Sequence, residues 1–106
     1  MCRKSHGAAF GTCAKVLWPA FEFTKGEKLV TAYQSSETIT RTFCGQYGST
    51  LQFIPDDQPG FGIAVGTLDD DPIKRPTEQI YVGDKAPWWD LTEEPPCYET
   101  YPAQKI

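Results

Sequence analysis

Apolar and polar residues alternate along this chain in short runs, and nearly every run closes on Gly, Pro or Asp. Strands carry a period of two and helices one of 3.6, and runs this short and punctuated fit strands. Residues 8–16 predict a strand after a short opening turn. Gly7 and Gly11 count against a helix there, since a helical Gly costs about 1 kcal/mol relative to Ala. Trp18-Pro19 ends the run. Phe21-Glu22-Phe23-Thr24 alternates into a turn at Lys25-Gly26-Glu27. Two β-branched and aromatic runs follow, 29–34 and 38–43, and Ser35-Ser36-Glu37 between them predicts an antiparallel hairpin.

Residues 50–54 predict a further strand, closed by Pro55-Asp56-Asp57. Residues 61–67 predict another, with Phe61, Ile63 and Val65 on one face and Gly62, Ala64 and Gly66 on the other. Leu68 to Pro72 terminates it, and 78–82 is the last expected strand. From Asp84 on, Pro and aromatic residues dominate, which predicts ordered coil with a short helical turn near Trp88. No repeat or second compositional regime interrupts the chain. The expected class is mainly β, built from short antiparallel strands with a Pro/aromatic-rich C-terminal tail, in one domain spanning residues 1–106.

A length of 106 residues sets the scale of a single domain, which buries roughly two-thirds of its unfolded surface. Hydrophobic residues at 40% and charged residues at 23%, with three Trp, five Tyr and six Phe, argue for a globular chain. Ten scattered basic residues against 14 acidic ones give a net charge of −4, which supplies no footprint for a nucleic-acid partner. No apolar run approaches the roughly 20 residues of a membrane span, and no signal segment opens the chain. The expectation is a cytoplasmic protein with no membrane partner.

Four cysteines, Cys2, Cys13, Cys44 and Cys97, invite either disulfides or metal. Without a secretory signal, disulfides are not expected. No two cysteines stand at C-x-x-C spacing, the usual mark of a zinc knuckle. His6 is the one histidine, and Cys2, four residues earlier, offers it a Cys/His nucleophilic pair; a polar loop residue is the plainer reading. Asp69-Asp70-Asp71 runs straight into Pro72 and reads as a solvated turn rather than a Ca²⁺ loop. Trp88-Trp89, with Tyr98 and Tyr101, could line an apolar ligand pocket, although buried anchoring of the tail is the favoured reading. More telling is Phe43-Cys44-Gly45-Gln46-Tyr47-Gly48-Ser49, where a Cys and two glycines sit between strands as a metal knuckle would. The second sulfur of such a knuckle belongs at Tyr47, whose phenol, with a pKa near about 10, is a poor ligand at neutral pH.

That segment is one of four in which the chain resembles the glutathione-dependent formaldehyde-activating enzymes and their centromere-protein-V relatives. The others are Cys2-Arg3-Lys4-Ser5-His6-Gly7-Ala8-Ala9-Phe10, Gly66-Thr67-Leu68-Asp69-Asp70 and Lys85-Ala86-Pro87-Trp88, in the family's order and approximate spacing. The resemblance implies the family's β-tent fold, with the N-terminal strands missing here. It also implies a family pattern of C-x-C, then C-x-C-x-x-C, then C-x-x-C, in which the outer pairs hold a structural zinc and the central three a zinc linked to catalysis. On that pattern Cys2 matches the last cysteine of the central trio and Cys44 the first of the late pair. Tyr47 replaces a ligand, and Cys13 and Cys97 match nothing.

A catalytic zinc generally needs three protein ligands and an open position, so no zinc is expected within one chain. Two copies would bring two Cys2 and two Cys44, leaving an intermolecular site as the alternative. Missing strands would expose a sheet edge, and a small domain without its metal staple is short of stability, so a homodimer is the expected partner state. The resemblance supports two functions. The favoured one is a degenerate, zinc-independent module binding a small molecule or a protein, through Trp88, Trp89 and the exposed edge. The alternative is the family's carbon–sulfur lyase chemistry, condensing formaldehyde with glutathione. There Cys2 would be the surviving thiolate, and Arg3 and Lys4 would attract the tripeptide's carboxylates.

Overall fold

A computed structural model of the chain describes residues 2–91 and 95–102. Contacts group the chain into two compact units, one of residues 12–69 and one of residues 1–11 with 70–106.

The first unit is an antiparallel sheet of β1 (Cys13–Leu17), β2 (Val30–Gln34), β3 (Ile39–Cys44), β4 (Thr50–Pro55) and β5 (Gly60–Ala64), in the order β1-β5-β4-β3-β2. The mainly β class expected from the alternation is the class observed. The predicted hairpin is β2–β3, its turn closed by the Ser35 N–H donating to the Ile39 carbonyl at 3.0 Å. The strand foreseen over 8–16 begins only at Cys13. Residues 61–67 are extended only as far as Ala64, because 65–67 tighten into a 3₁₀ turn whose end returns the Leu68 N–H to the Val65 carbonyl.

The registers Ala14↔Ile63, Gln52↔Ile63, Thr42↔Gln52 and Ala32↔Thr42 set one row across all five strands. Cross-strand partners share a face, so this row and the neighbouring pair Val16↔Phe61 define the core side. Phe61 is 0% and Ile63 2% exposed, as their period-two placement predicts. Thr42 and Gln52 are also buried and bond to each other, while Gln52 Nε2 has no partner among the described residues. The Thr42 hydroxyl donates to Gln52 Oε1 at 2.9 Å and accepts the Gln52 backbone N–H at 3.1 Å. On the opposite face the guanidinium of Arg41 lies 4.8 Å over the ring of Phe53.

Phe21-Glu22-Phe23-Thr24 is not a strand. Trp18–Ala20 forms a 3₁₀ turn with Pro19 near its start, and the chain beyond it folds back on the sheet through side chains. Phe21 packs edge-on against Phe61 at 5.0 Å and against Phe23 at 4.9 Å, while Trp18 stands 4.4 Å from Phe61. The alternation that suggested a strand instead places two rings on one side of an irregular segment.

The second unit opens with α1 (Cys2–His6), one helical turn ended by Gly7 at φ 67°. A left-handed glycine is the commonest helix stop. The strand expected over 78–82 is reduced to a single parallel bridge between Gln79 and Cys97. Pro95 and Pro96 have no N–H to extend a ladder, and Tyr81 turns left-handed at φ 55°. The tail is nonetheless tied down as ordered coil. Tyr98 N–H donates to the Gln79 carbonyl at 2.7 Å, Val82 N–H to Tyr98 at 3.0 Å, and Tyr81 N–H to Thr100 at 3.2 Å. Near Trp88 the expected helical turn is one reverse turn, with Trp89 N–H on the Ala86 carbonyl at 3.1 Å. Glu93 and Glu94 of the tail lie outside the described residues. No helix among the described residues is long and apolar enough to cross a membrane.

Fully buried apolar side chains are few, namely Phe61, Ile63 and Ala86 among the described residues. Truncating Phe61 therefore removes the centre of an already small core. Phe61→Ala is expected to cost about 3–5 kcal/mol, a large share of the roughly 5–15 kcal/mol that holds a domain folded. Urea unfolding followed by circular dichroism reads this as a strongly lowered midpoint.

Candidate functional site: a thiol in a backbone turn and an aromatic cluster

Cys44 ends β3, and the turn after it is shaped by two glycines. Gly48 stands at φ 78°, a conformation that side-chain-bearing residues rarely adopt. Gly45 lies against β2, donating its N–H to the Leu29 carbonyl at 2.8 Å. A Cβ at that position would come within 2.6 Å of the Thr31 hydroxyl oxygen. The turn is closed by Cys44 N–H on the Ser49 carbonyl at 2.8 Å and Gly48 N–H on the Cys44 carbonyl at 2.7 Å.

Closure on these terms turns the backbone N–H groups of the loop toward sulfur. Tyr47 N–H donates to Cys44 Sγ at 3.4 Å. The N–H of Tyr47, followed by that of Gln46, holds the Cys44 thiol below its ordinary range. Partial burial works against this, and the Gly48 N–H adds to it. Donors aimed at a sulfur favour its anion, which is the nucleophilic form. Tyr47, singled out as a replaced ligand, contributes its main chain; its side chain is 80% exposed.

Most of the other sequence candidates fall in the second unit. Cys2 and Arg3 lie on α1, and their side chains are outside the described residues. Lys4 beside them is exposed. His6 ends the helix with Nδ1 accepting the Ala8 N–H at 3.3 Å, so the neutral ring carries its proton on Nε2. That is the behaviour of a polar loop residue. Trp88 is 67% and Trp89 42% exposed. Trp89 packs against Phe10 at 5.7 Å, and Phe10 is itself largely exposed. Lys85 Nζ caps the turn, donating to the Trp89 carbonyl at 3.1 Å and the Ala86 carbonyl at 3.5 Å. Cys97 accepts a hydrogen bond from Gln79 Nε2 at 3.2 Å, and Cys13 lies on β1.

The acidic run behaves as an ordinary turn. Asp69 accepts the Thr24 hydroxyl at 2.9 Å, and Asp71 accepts the Ile73 N–H at 2.8 Å. Two features escaped the sequence reading. The backbone donors around Cys44 were signalled only by the spacing of Gly45 and Gly48, and Phe10 as the partner of Trp89 had no local signal at all.

The model of the glutathione-dependent formaldehyde-activating enzyme family matches residues 1–84, and the chain belongs to that family. Comparison with the curated proteins finds none that matches. A zinc site requires three or four Cys, His or carboxylate ligands converging on one tetrahedral centre. Among the described residues no three of His, Cys, Asp and Glu gather in a way that could hold a metal ion. Cys44 supplies one sulfur, and it faces peptide N–H groups rather than a second ligand. The described residues do not fit a zinc site, and no chemistry through zinc is assigned to them.

Because Cys44 is acidified by main-chain donors, its alkylation by iodoacetamide, mapped by peptide mass spectrometry, is expected to rise at lower pH than in the urea-unfolded chain. Tyr47→Phe should leave that profile in place. Gly48→Ala, which strains the turn, should move it back toward the ordinary thiol range of about 8.5. A group whose folded value is depressed stabilises the fold above its unfolded value and loses that contribution as pH falls through the folded one. Stability should accordingly rise with pH between the folded and unfolded values of Cys44, and Gly48→Ala should flatten the slope.

Proposed function

We propose that this family member is a zinc-independent module that binds a small anionic molecule, with glutathione the first candidate. The observation that carries the reading is exposed aromatic surface at the 86–89 turn, where Trp89, 42% exposed, packs on Phe10, 60% exposed, and Trp88, next in the chain, is 67% exposed. Large exposed aromatic surface in a small domain marks a contact site more often than chance exposure does. Arg3, Lys4 and Lys85, three of the cationic residues of the same unit, supply charge for a ligand's carboxylates, and the aromatic faces supply its apolar contact. Binding of this kind needs no metal, which suits a chain whose described residues gather no ligand set.

A carbon–sulfur lyase of the glutathione-dependent formaldehyde-activating type is the second reading, favoured by the family match over residues 1–84. It assigns Cys2 the role of thiolate. The two readings separate in one pair of experiments. Titration with glutathione is expected to change tryptophan fluorescence saturably, and Trp89→Ala to weaken binding by about tenfold, the effect of losing roughly 1.4 kcal/mol of aromatic contact. Formation of S-hydroxymethylglutathione, followed with and without added Zn²⁺, is expected to stay at the spontaneous rate. A rate above it that Cys2→Ser abolishes would establish the lyase instead.

A further inference from the structure

The two edges of the sheet are not alike. β1 carries Lys15 and runs directly into Trp18-Pro19, and a charged side chain and a proline are the usual means by which an edge resists pairing. β2 reads Val-Thr-Ala-Tyr-Gln, with no charge, no proline and no register shift against β3. Thr31, Ala32, Tyr33 and Gln34 are all exposed.

The hydrogen bonds fix which main-chain groups that edge presents. Gly45 N–H donates to Leu29 C=O and Ser35 N–H to Ile39 C=O, both in the same register as the Thr31↔Phe43 and Tyr33↔Arg41 pairs. Inward and outward peptide groups alternate along an antiparallel strand. Thr31 and Tyr33 therefore bond to β3, while Val30, Ala32 and Gln34 direct theirs away from the sheet. The Val30 N–H is already spent on the Glu27 carbonyl. The open groups are the carbonyl of Val30 and both groups of Ala32 and Gln34.

We infer that β2 pairs antiparallel with β2 of a second copy of this chain, about a two-fold axis at Ala32. That register overlaps the whole of both strands. Ala32 exchanges two hydrogen bonds with Ala32 of the second copy, and each Gln34 N–H donates to the Val30 carbonyl opposite, so the spent Val30 N–H is not called upon. On the face that carries Arg41 and Phe53, Thr31 stands across from Tyr33 on each side of the axis, a β-branched residue against an aromatic one, which is a favourable cross-strand pair. Tyr33, 40% exposed and 5.9 Å from Phe43, gains a second neighbour without moving from the first. Two five-stranded sheets become one. The inference uses only the first unit and no residue of the proposed ligand site, so either can fail without the other.

Sedimentation equilibrium over micromolar to sub-millimolar protein is the test. The expected mass rises reversibly from 11.9 kDa toward twice that value. Ala32→Pro removes an outward N–H at a position where an edge strand tolerates proline, and is expected to give a folded monomer. Ala32→Cys, oxidised and digested, is expected to give a disulfide between the two introduced thiols, since paired Cα atoms at such a position stand about 5.5 Å apart, within disulfide reach. A wild-type chain that stays at 11.9 kDa throughout overturns the inference. So does a dimer that survives in folded Ala32→Pro. Should that variant not fold, failure of Ala32→Cys to cross-link at its own position in a dimeric sample overturns it equally.

Discussion

Phe61 is the side chain on which the sheet is assembled. It projects from the inner strand β5, is closed off completely from water, and receives Trp18 and Phe21 from the segment that follows β1. β1 and β5 are also paired at this point, Val16 opposite Phe61. One ring thus joins the first strand, the last strand and the irregular chain between β1 and β2. Ring pairs of this kind add about 0.5–1.5 kcal/mol beyond the area they bury. In a sheet whose other fully buried apolar side chain is Ile63, that coupling is a principal reason residues 18–29 take a fixed path without pairing as a strand.

The same economy explains what was legible in the sequence. β2, β3, β4 and β5 were readable because each is a run of β-branched or aromatic residues bounded by turn residues, and neighbouring runs pair with each other. Phe61 and Ile63 announced the buried face by period alone. Phe21 and Phe23 misled for a physical reason: two residues apart on extended chain face the same way whether or not the main chain pairs. Residues 78–82 misled differently. Their composition is strand-like, but the segment they bridge is a tail containing Pro95 and Pro96, and a ladder needs donors on both sides.

The site was legible in its identities and not in its arrangement. Cys44 and Tyr47 stood out as a knuckle without its second sulfur, whereas Trp88-Trp89 read as buried anchors of the tail and are instead 67% and 42% exposed. What spacing could not convey is that the group at position 47 that meets sulfur is its peptide N–H, or that Phe10, far off in sequence, stands against Trp89. Both depend on how the main chain is folded back. Main-chain donors leave no residue-type signature, except where a glycine is needed to aim them.

That exception bears on what holds the Cys44 sulfur in this turn. The N–H groups that surround Cys44 are aimed by the left-handed Gly48 and by the close approach of Gly45 to Thr31, neither of which involves the side chain at position 47. The phenol at position 47 therefore leaves the donors where they are. A sulfur that several N–H groups favour as an anion needs no metal to be acidic, only a turn that stays closed. The turn stays closed through Cys44 and Ser49 at the ends of β3 and β4 and through Gly45 on Leu29 beside β2, bonds that belong to the sheet. Acidity of Cys44 is therefore tied to the integrity of β2, β3 and β4, and through their shared core face to the packing around Phe61.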